Sequence, residues 1–110
     1  MTFRIFIAMA ALSVAGSAWA GGDVARGQEK SKTCQACHGA DGNGVGDPQY
    51  PIIAGQYEDY LGVALKAYRS KTRDNLIMQG FATTLSDQDI EDLSAYFASQ
   101  NSKITDLSHK

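Results

Sequence analysis

Apolar residues recur at helical spacing in two stretches of the chain, and each stretch predicts one amphipathic helix. The first stretch covers about residues 57–68. The second begins after Ser86, whose hydroxyl suits an N-cap ahead of an acidic first turn, and should end near Gln100. The apolar positions are Tyr57, Tyr60, Leu61, Ala64, Leu65 and Tyr68 in the first helix, and Ile90, Leu93, Tyr96 and Phe97 in the second.

A third, shorter helix is predicted over residues 24–32, with Asp23 as its N-cap. Gly27 lies in the middle of this helix, where a glycine costs about 1 kcal/mol relative to alanine. A close crossing of two helices would explain this glycine, and a tolerated glycine on an exposed face is the alternative. No stretch alternates as a strand would, so we predict an all-α domain.

The segments between these helices are less regular. Four glycines within residues 39–46 predict a loop whose backbone approaches a flat ligand closely. A phosphate cradle fits poorly, because no apolar strand precedes the loop and no Gly-Lys-Ser/Thr follows it. Residues 75–81 are predicted to form a short apolar turn of irregular period.

Residues 1–20 have the pattern of a secretory signal peptide. One early positive charge, Arg4, precedes an apolar run that is too short to span a bilayer and that ends in Ala-Trp-Ala. An uncleaved amphipathic anchor is the alternative, but the small residues at the end favour cleavage. We therefore expect an exported protein with a folded domain over residues 21–100 and a polar, frayed tail over residues 101–110.

The composition of the remaining 90 residues excludes some classes of protein. Removing Arg4 leaves 9 basic and 12 acidic residues, a net charge of −3, which is not the basic footprint of a nucleic-acid-binding protein. No second long apolar segment follows, so we expect no stable membrane insertion. The only tryptophan lies in residues 1–20, so the domain has few large apolar side chains, and an apolar cofactor would enlarge its core.

The candidate chemistry lies in residues 34–38, which read Cys-Gln-Ala-Cys-His. Two thiols at this spacing can each add to one vinyl group of a haem, and the imidazole that follows can ligate the iron, which is the signature of c-type haem attachment. A zinc site would need four ligands, and outside residues 1–20 the only thiol or imidazole donors are Cys34, Cys37, His38 and His109. A dithiol oxidoreductase normally shows a βαβ pattern, which is absent here. We predict one covalent haem c with its iron, bound through Cys34 and Cys37, with His38 as an iron ligand.

The second axial ligand decides between electron transfer and reaction at an open iron position. Outside residues 1–20 the candidates are Met78, His109 and the lysines. Met78 is the only methionine among them, it follows His38 by 40 residues, and its neighbours Leu76, Ile77 and Phe81 could exclude water. A methionine that only fills a gap in the core is the alternative.

Two charged stretches have open interpretations. The basic stretch at residues 66–73 either forms a solvated helix end or includes a partner for a haem propionate. Arg73 is the best candidate for that partner. A tyrosine of residues 57–68 either packs in the core or reaches a propionate with its hydroxyl. The acidic stretch at residues 87–92 could act with the basic one to orient a partner, or both could be ordinary surfaces. The basic residues are Lys66, Arg69, Lys71 and Arg73.

The chain resembles a class I cytochrome c of the small bacterial kind, close to one single-haem half of the periplasmic two-haem cytochromes c. Many unrelated cytochromes share the haem motif, whereas residues 51–56 and 85–97 are more discriminating. The matching runs are Gly22-Asp23-Val24-Ala25-Arg26-Gly27, Cys37-His38-Gly39-Ala40-Asp41-Gly42, Tyr50-Pro51-Ile52-Ile53-Ala54-Gly55-Gln56, Leu85-Ser86-Asp87-Gln88-Asp89-Ile90 and Ala95-Tyr96-Phe97.

The resemblance implies a compact class I cytochrome c fold, with about four helices wrapped round one covalently bound haem. It implies that Met78 is the sulfur ligand and that the carbonyl of Pro51 accepts a hydrogen bond from the ligating imidazole. It also implies that Gly27 and Tyr96 form the pair at which the first and last helices cross.

The function implied is that of a periplasmic one-electron carrier that is not itself an enzyme. Its partners would be a membrane quinol-oxidising complex and a terminal oxidase or reductase, met in transient encounters. A dedicated cytochrome subunit of a periplasmic dehydrogenase complex is the alternative. A haem sensor or peroxidase-like enzyme is a third class, and it would need an open or labile iron position. With one haem motif, we expect no electron sharing between two haems within this chain.

Overall fold

The computed structural model describes residue 2 and residues 21–104, and within them the chain forms five α-helices and no strand. The predicted all-α fold is therefore confirmed. The predicted signal peptide and residues 105–110, with His109, lie outside the described residues, apart from Thr2. The helices are α1 (Val24–Lys30), α2 (Gln35–His38), α3 (Glu58–Arg69), α4 (Leu76–Ala82) and α5 (Asp87–Ser99), and a 3₁₀ turn (Ser31–Thr33) follows α1.

Side-chain caps start three of the helices. The Asp23 carboxylate accepts a hydrogen bond from the backbone N–H of Arg26 at 2.7 Å, as its position in the sequence predicts. Ser86 and Asp89 form a reciprocal capping box at the start of α5. Both predicted N-caps are confirmed, and α1 ends two residues before the predicted end, where the 3₁₀ turn takes over.

The prediction of an irregular turn over residues 75–81 is wrong, because these residues form most of helix α4. The Asn75 side chain accepts a hydrogen bond from the Met78 N–H at 3.0 Å and so caps the helix. Apolar residues lie all round this short helix, which leaves no amphipathic period for a sequence to reveal. The helix count also exceeds the expected four, because the haem motif itself contributes the single turn α2.

Helices α1 and α5 cross closely at Gly27, which is buried. A Cβ atom on Gly27 would lie 2.7 Å from the Cβ of Tyr96 and would overlap the backbone carbonyl of Asp92. The crossing of Gly27 with Tyr96 is therefore confirmed, and the alternative of an exposed glycine is wrong. Only a residue without a side chain lets the two backbones approach this far.

A buried carboxylate, that of Asp92, joins the two helices beside this crossing. It accepts hydrogen bonds from Lys30 Nζ at 2.6 Å, Arg26 Nε at 3.1 Å, the Asp23 N–H at 2.9 Å and the Gln88 side chain at 2.9 Å. Burial alone raises the pKa of Asp92, but these hydrogen bonds outweigh it and hold the pKa well below its usual range. This ion-pair network joins α1 to α5.

The apolar core forms where α5 packs against α3. Leu93, Tyr96 and Phe97 of α5 are buried together with Leu61 of α3, and Ile90 is fully buried one turn earlier. The predicted core face of α5 is therefore confirmed. Two of the three tyrosines predicted on the apolar face of the residue 57–68 helix are not core residues. Tyr57 is 80% exposed and Tyr60 is 47% exposed.

The segment that follows α5 is attached to the rest of the domain. The side chain of Asn43 is buried, donates to the Asn101 carbonyl at 2.8 Å and accepts from the Lys103 N–H at 2.7 Å. The expected fraying therefore does not begin at residue 101. The backbone N–H of Gly55 adds a bond to the Phe97 carbonyl at 2.9 Å, which fixes the long loop before α3 on α5.

Candidate haem site

A largely apolar cavity of about 280 Å³ lies among α3, α4, α5 and the turn that carries residues 34–38. All four predicted site residues, Cys34, Cys37, His38 and Met78, line this cavity. The fold thus brings together two segments that lie 40 residues apart in the sequence. The apolar residues in the wall include Ile52, Ile53, Leu61, Ala64, Leu65, Ile77, Phe81, Leu85, Leu93 and Phe97.

The His38 imidazole is buried and oriented by one hydrogen bond. Its Nδ1 lies 2.8 Å from the carbonyl oxygen of Pro51. Because a carbonyl can only accept, Nδ1 is the donor of this bond, and Nε2 is the ring nitrogen that a metal could use. The contact that the resemblance implied for Pro51 is therefore confirmed. Such a contact also raises the basicity of the ligand nitrogen.

The two cysteines lie on a single helical turn and are not joined to each other by a disulfide. The N–H of His38 donates to the Cys34 carbonyl at 3.0 Å, and this turn fixes the spacing of the motif. Burial raises the pKa of the Cys34 thiol above its ordinary value. Within residues 21–104, no group of three or more His, Cys, Asp or Glu side chains has an arrangement that could hold a metal ion by itself.

Met78 lies on α4 and is half-buried in the cavity wall. The cap at the start of α4 bonds to the N–H of Met78 itself, so the position of this residue depends on Asn75. Two of its apolar neighbours, Ile77 and Phe81, line the cavity while remaining 46% and 48% exposed. Leu76 is 85% exposed and does not line the cavity, so it cannot exclude water as the sequence suggested.

Arg73 lies at the cavity together with two tyrosines. Its guanidinium carbon is 5.0 Å from the Tyr68 ring centroid and 5.9 Å from that of Tyr60, and its Nη1 donates to the Tyr60 hydroxyl at 3.2 Å. These contacts raise the pKa of Arg73 and fix a cation at the wall. Pairing of Arg73 with a propionate stays a prediction.

The two charged stretches are not segregated surfaces. Arg69 Nη2 lies 2.6 Å from the Asp87 carboxylate, so the basic stretch pairs with the acidic one. Asp89 pairs with Lys30 at 2.8 Å, and Asp92 is buried at the α1–α5 crossing. The two stretches therefore do not form fully separate patches, and the orientation of a partner by their charges stays a prediction.

The glycine-rich loop contacts itself and α5, and it does not line the cavity. None of residues 39–48 lines the cavity. Gly39 has a φ of 85°, and a Cβ there would lie 2.6 Å from the Gly44 carbonyl oxygen. A Cβ on Gly42 would lie 2.8 Å from the Phe97 ring. Gly39 and Gly42 are therefore required by contacts within the fold, and the predicted close approach of this loop to a flat ligand is wrong.

The cytochrome c family model matches residues 24–101. The chain belongs to the cytochrome c family. A cytochrome c domain implies covalent haem c with its iron, and Cys34 and Cys37 fit the motif that attaches it. The cavity fits this cofactor, because its wall is largely apolar, both cysteines line it, and the bond of His38 Nδ1 to Pro51 leaves Nε2 of the same ring without a protein partner within residues 21–104. The class I fold expected from the resemblance is confirmed.

Individual relatives extend this assignment. Cytochrome c4 from Pseudomonas aeruginosa is 47% identical over 93 residues, which are 84% of this chain and 46% of that protein. Cytochrome c-554(548) from Halomonas halodenitrificans is 46% identical over 82 residues, 72% of this chain and 98% of that protein. The crystal structure of reduced recombinant cytochrome c4 from Pseudomonas stutzeri matches with a TM-score of 0.72 at 41% identity, covering 76% of this chain and 48% of that one.

The chain spans about half the length of the cytochrome c4 relatives it matches. None of the helices in the described part of this cytochrome c is long and apolar enough to cross a membrane.

Proposed function

We propose that this cytochrome c is a periplasmic one-electron carrier, in which Cys34 and Cys37 would attach the haem and His38 and Met78 would hold its iron. The observation that carries the proposal is that these four residues line one apolar cavity. Haem c, when bound, supplies a one-electron couple at its iron.

The residues of the chain favour electron transfer over chemistry at the iron. The Pro51 carbonyl holds the His38 ring, which limits reorganisation of that ligand. A methionine thioether is a soft donor that raises the reduction potential relative to harder ligand sets. The apolar wall limits access of water. No group in the cavity has the nucleophile-and-base arrangement of a catalytic site, so we propose a carrier and not an enzyme.

The encounter with partners would occur at the exposed part of α4. Ile77 and Phe81 are about half exposed beside the cavity, and weak redox complexes use small interfaces of this kind. The partners we propose are a membrane quinol-oxidising complex and a terminal oxidase or reductase. Localisation in the periplasm rests on the signal-like pattern of residues 1–20.

Visible spectroscopy of the purified protein in both redox states tests the ligand set. The ferric protein should show the sulfur-to-iron charge-transfer band, and the Met78→Ala variant should lose it. Leu76→Ala is the matched control, because this neighbour on α4 is 85% exposed and outside the cavity wall. An unchanged band in Met78→Ala would exclude Met78 as the ligand. Rapid binding of carbon monoxide or cyanide by the wild type would favour a sensor or a peroxidase-like enzyme.

A second candidate function is that of a dedicated cytochrome subunit of a dehydrogenase. It is favoured by a relative named thiosulfate dehydrogenase electron acceptor, from Stutzerimonas stutzeri, which is 41% identical over 75 residues. A thiosulfate dehydrogenase (TsdBA) structure from Marichromatium purpuratum also matches, with a TM-score of 0.64 at 27% identity, covering 78% of this chain and 21% of that one. Purification at native levels distinguishes the two, since a shuttle elutes alone and a subunit elutes with an enzyme.

A further inference from the structure

Ser94 has the one buried side-chain oxygen or nitrogen without a hydrogen-bond partner within residues 21–104. The residue lies on α5 between core side chains, is 1% exposed and forms part of the cavity wall. A buried hydroxyl without a partner costs free energy, so each instance in a native fold needs a reason. Neither the capping nor the packing of α5 supplies one.

The surroundings of Ser94 leave its hydroxyl free to rotate. A serine inside a helix commonly donates to the carbonyl four residues earlier, and Ser94 does not. The α3 residue that faces it is Gly62, on which a Cβ would be 3.7 Å from Ser94 Oγ. No polar group from α3 therefore reaches the hydroxyl. Its neighbours in the wall, Leu93 and Phe97, are apolar, so little screens its dipole.

We propose that Ser94 lowers the reduction potential of the haem iron through this unpartnered, reorientable hydroxyl. This inference rests on the proposed function. Ser94 would act through the dipole of its hydroxyl group, and it would bind neither the iron nor a redox partner. When the protein is reduced, a redox partner would supply one electron, and no bond of Ser94 would form or break.

The sign follows from the charge at the iron. The ferric centre carries one more positive charge than the ferrous centre. A free hydroxyl turns its oxygen towards added positive charge, and it does so at little cost because no hydrogen bond holds it. It therefore stabilises the ferric state and disfavours reduction. Hydrogen bonding and polarity round the cofactor are established means by which a protein adjusts such potentials.

Redox titration of the holoprotein with the Ser94→Ala substitution tests the proposal. The ferrous-to-ferric ratio at a fixed ambient potential should rise about twofold, which is about 18 mV at 59 mV per tenfold change. The midpoint of denaturant unfolding should not fall, because the variant loses an unsatisfied polar atom.

Ser31→Ala is the matched control, since Ser31 is equally buried, lies outside the cavity wall and donates to the Gln28 carbonyl at 2.7 Å. It should lower the unfolding midpoint and leave the potential unchanged. An unchanged or lower potential in Ser94→Ala would overturn the proposal. If that potential is unchanged and the unfolding midpoint falls, Ser94 has a structural role only.

The pair Ser94→Thr and Ser94→Val keeps the test decisive if the alanine variant does not retain haem. These side chains have nearly the same shape, and only threonine keeps the hydroxyl. The valine variant should have the higher potential, and equal potentials would overturn the proposal. Failure of the proposed function is distinguishable, because it would show as the absence of a reversible one-electron couple in the wild type.

Discussion

The α1–α5 crossing and the α3–α4 side of the molecule are completed in different ways. At the crossing, the chain supplies every contact itself: Gly27 admits the backbone of α5, and the buried carboxylate of Asp92 is satisfied by four donor groups. On the other side, Ile77, Met78 and Phe81 line a cavity and remain partly exposed. One region therefore completes its own contacts, whereas the other is built round the cavity that fits the haem.

The largest expected effect on stability comes from replacing one glycine by alanine in each region. Gly27→Ala should destabilise the holoprotein by about 3 kcal/mol, because the new Cβ meets Tyr96 and the backbone of α5 and the helices must separate. Gly80→Ala on α4 should stabilise it by up to about 1 kcal/mol, because a Cβ there meets nothing within 4 Å and alanine favours a helix. Denaturant unfolding measures both. Equal effects would show that the crossing is not tightly packed.

The next largest effect on stability is expected at the buried carboxylate of Asp92. Asp92→Asn should cost about 2–3 kcal/mol at pH 7, since the partners Arg26 and Lys30 lose a buried charge but remain partly exposed to water. Glu29→Gln is the matched control. The Glu29–Lys32 pair is largely exposed, and its loss should cost less than about 1 kcal/mol.

The same variant predicts a pH dependence. The pKa of Asp92 is depressed in the folded protein, so its contribution is present above the unfolded value of about 3.9 and is lost as the pH falls towards the folded value. The wild type should therefore lose stability below about pH 4, and Asp92→Asn should lose less over that window. Unfolding at pH 7, 4 and 3 measures this, and parallel curves would contradict it. The pKa values of Asp41, Asp87 and Asp89 are also lowered, so some acid sensitivity remains in the variant.

The smallest effect is expected in the turn between α3 and α4. Lys71 has a φ of 62°, the left-handed region that an L side chain adopts at a cost. Its position just after α3 is one that glycine favours, so Lys71→Gly should stabilise the holoprotein by about 0.5–1 kcal/mol. Lys66→Gly, inside α3, is the contrasting variant and should destabilise it by a similar amount. Thermal unfolding compares them, and destabilisation by Lys71→Gly would show that the lysine side chain itself stabilises the turn.

Sequence reasoning performed best where the local signal was strong. Asp23 and Ser86 are caps, α5 has the predicted apolar face, and residues 34–38 identify the cofactor. It failed at α4, whose apolar residues show no period, and at the glycine loop, whose constraint is contact with Phe97 and with itself. The role of Asp92 was also missed, because Arg26 and Lys30 lie over 60 residues away and nothing local distinguishes this carboxylate from its exposed neighbours.

The sequence by itself determined the helical class, the covalent haem motif and the positions of two helix caps, because each depends on residues within a few positions of one another. Only the tertiary structure decided that Met78 and His38 line one cavity, that the charged stretches pair with each other, and that Ser94 is left without a partner. These features depend on which helix faces meet, and packing between distant segments determines that.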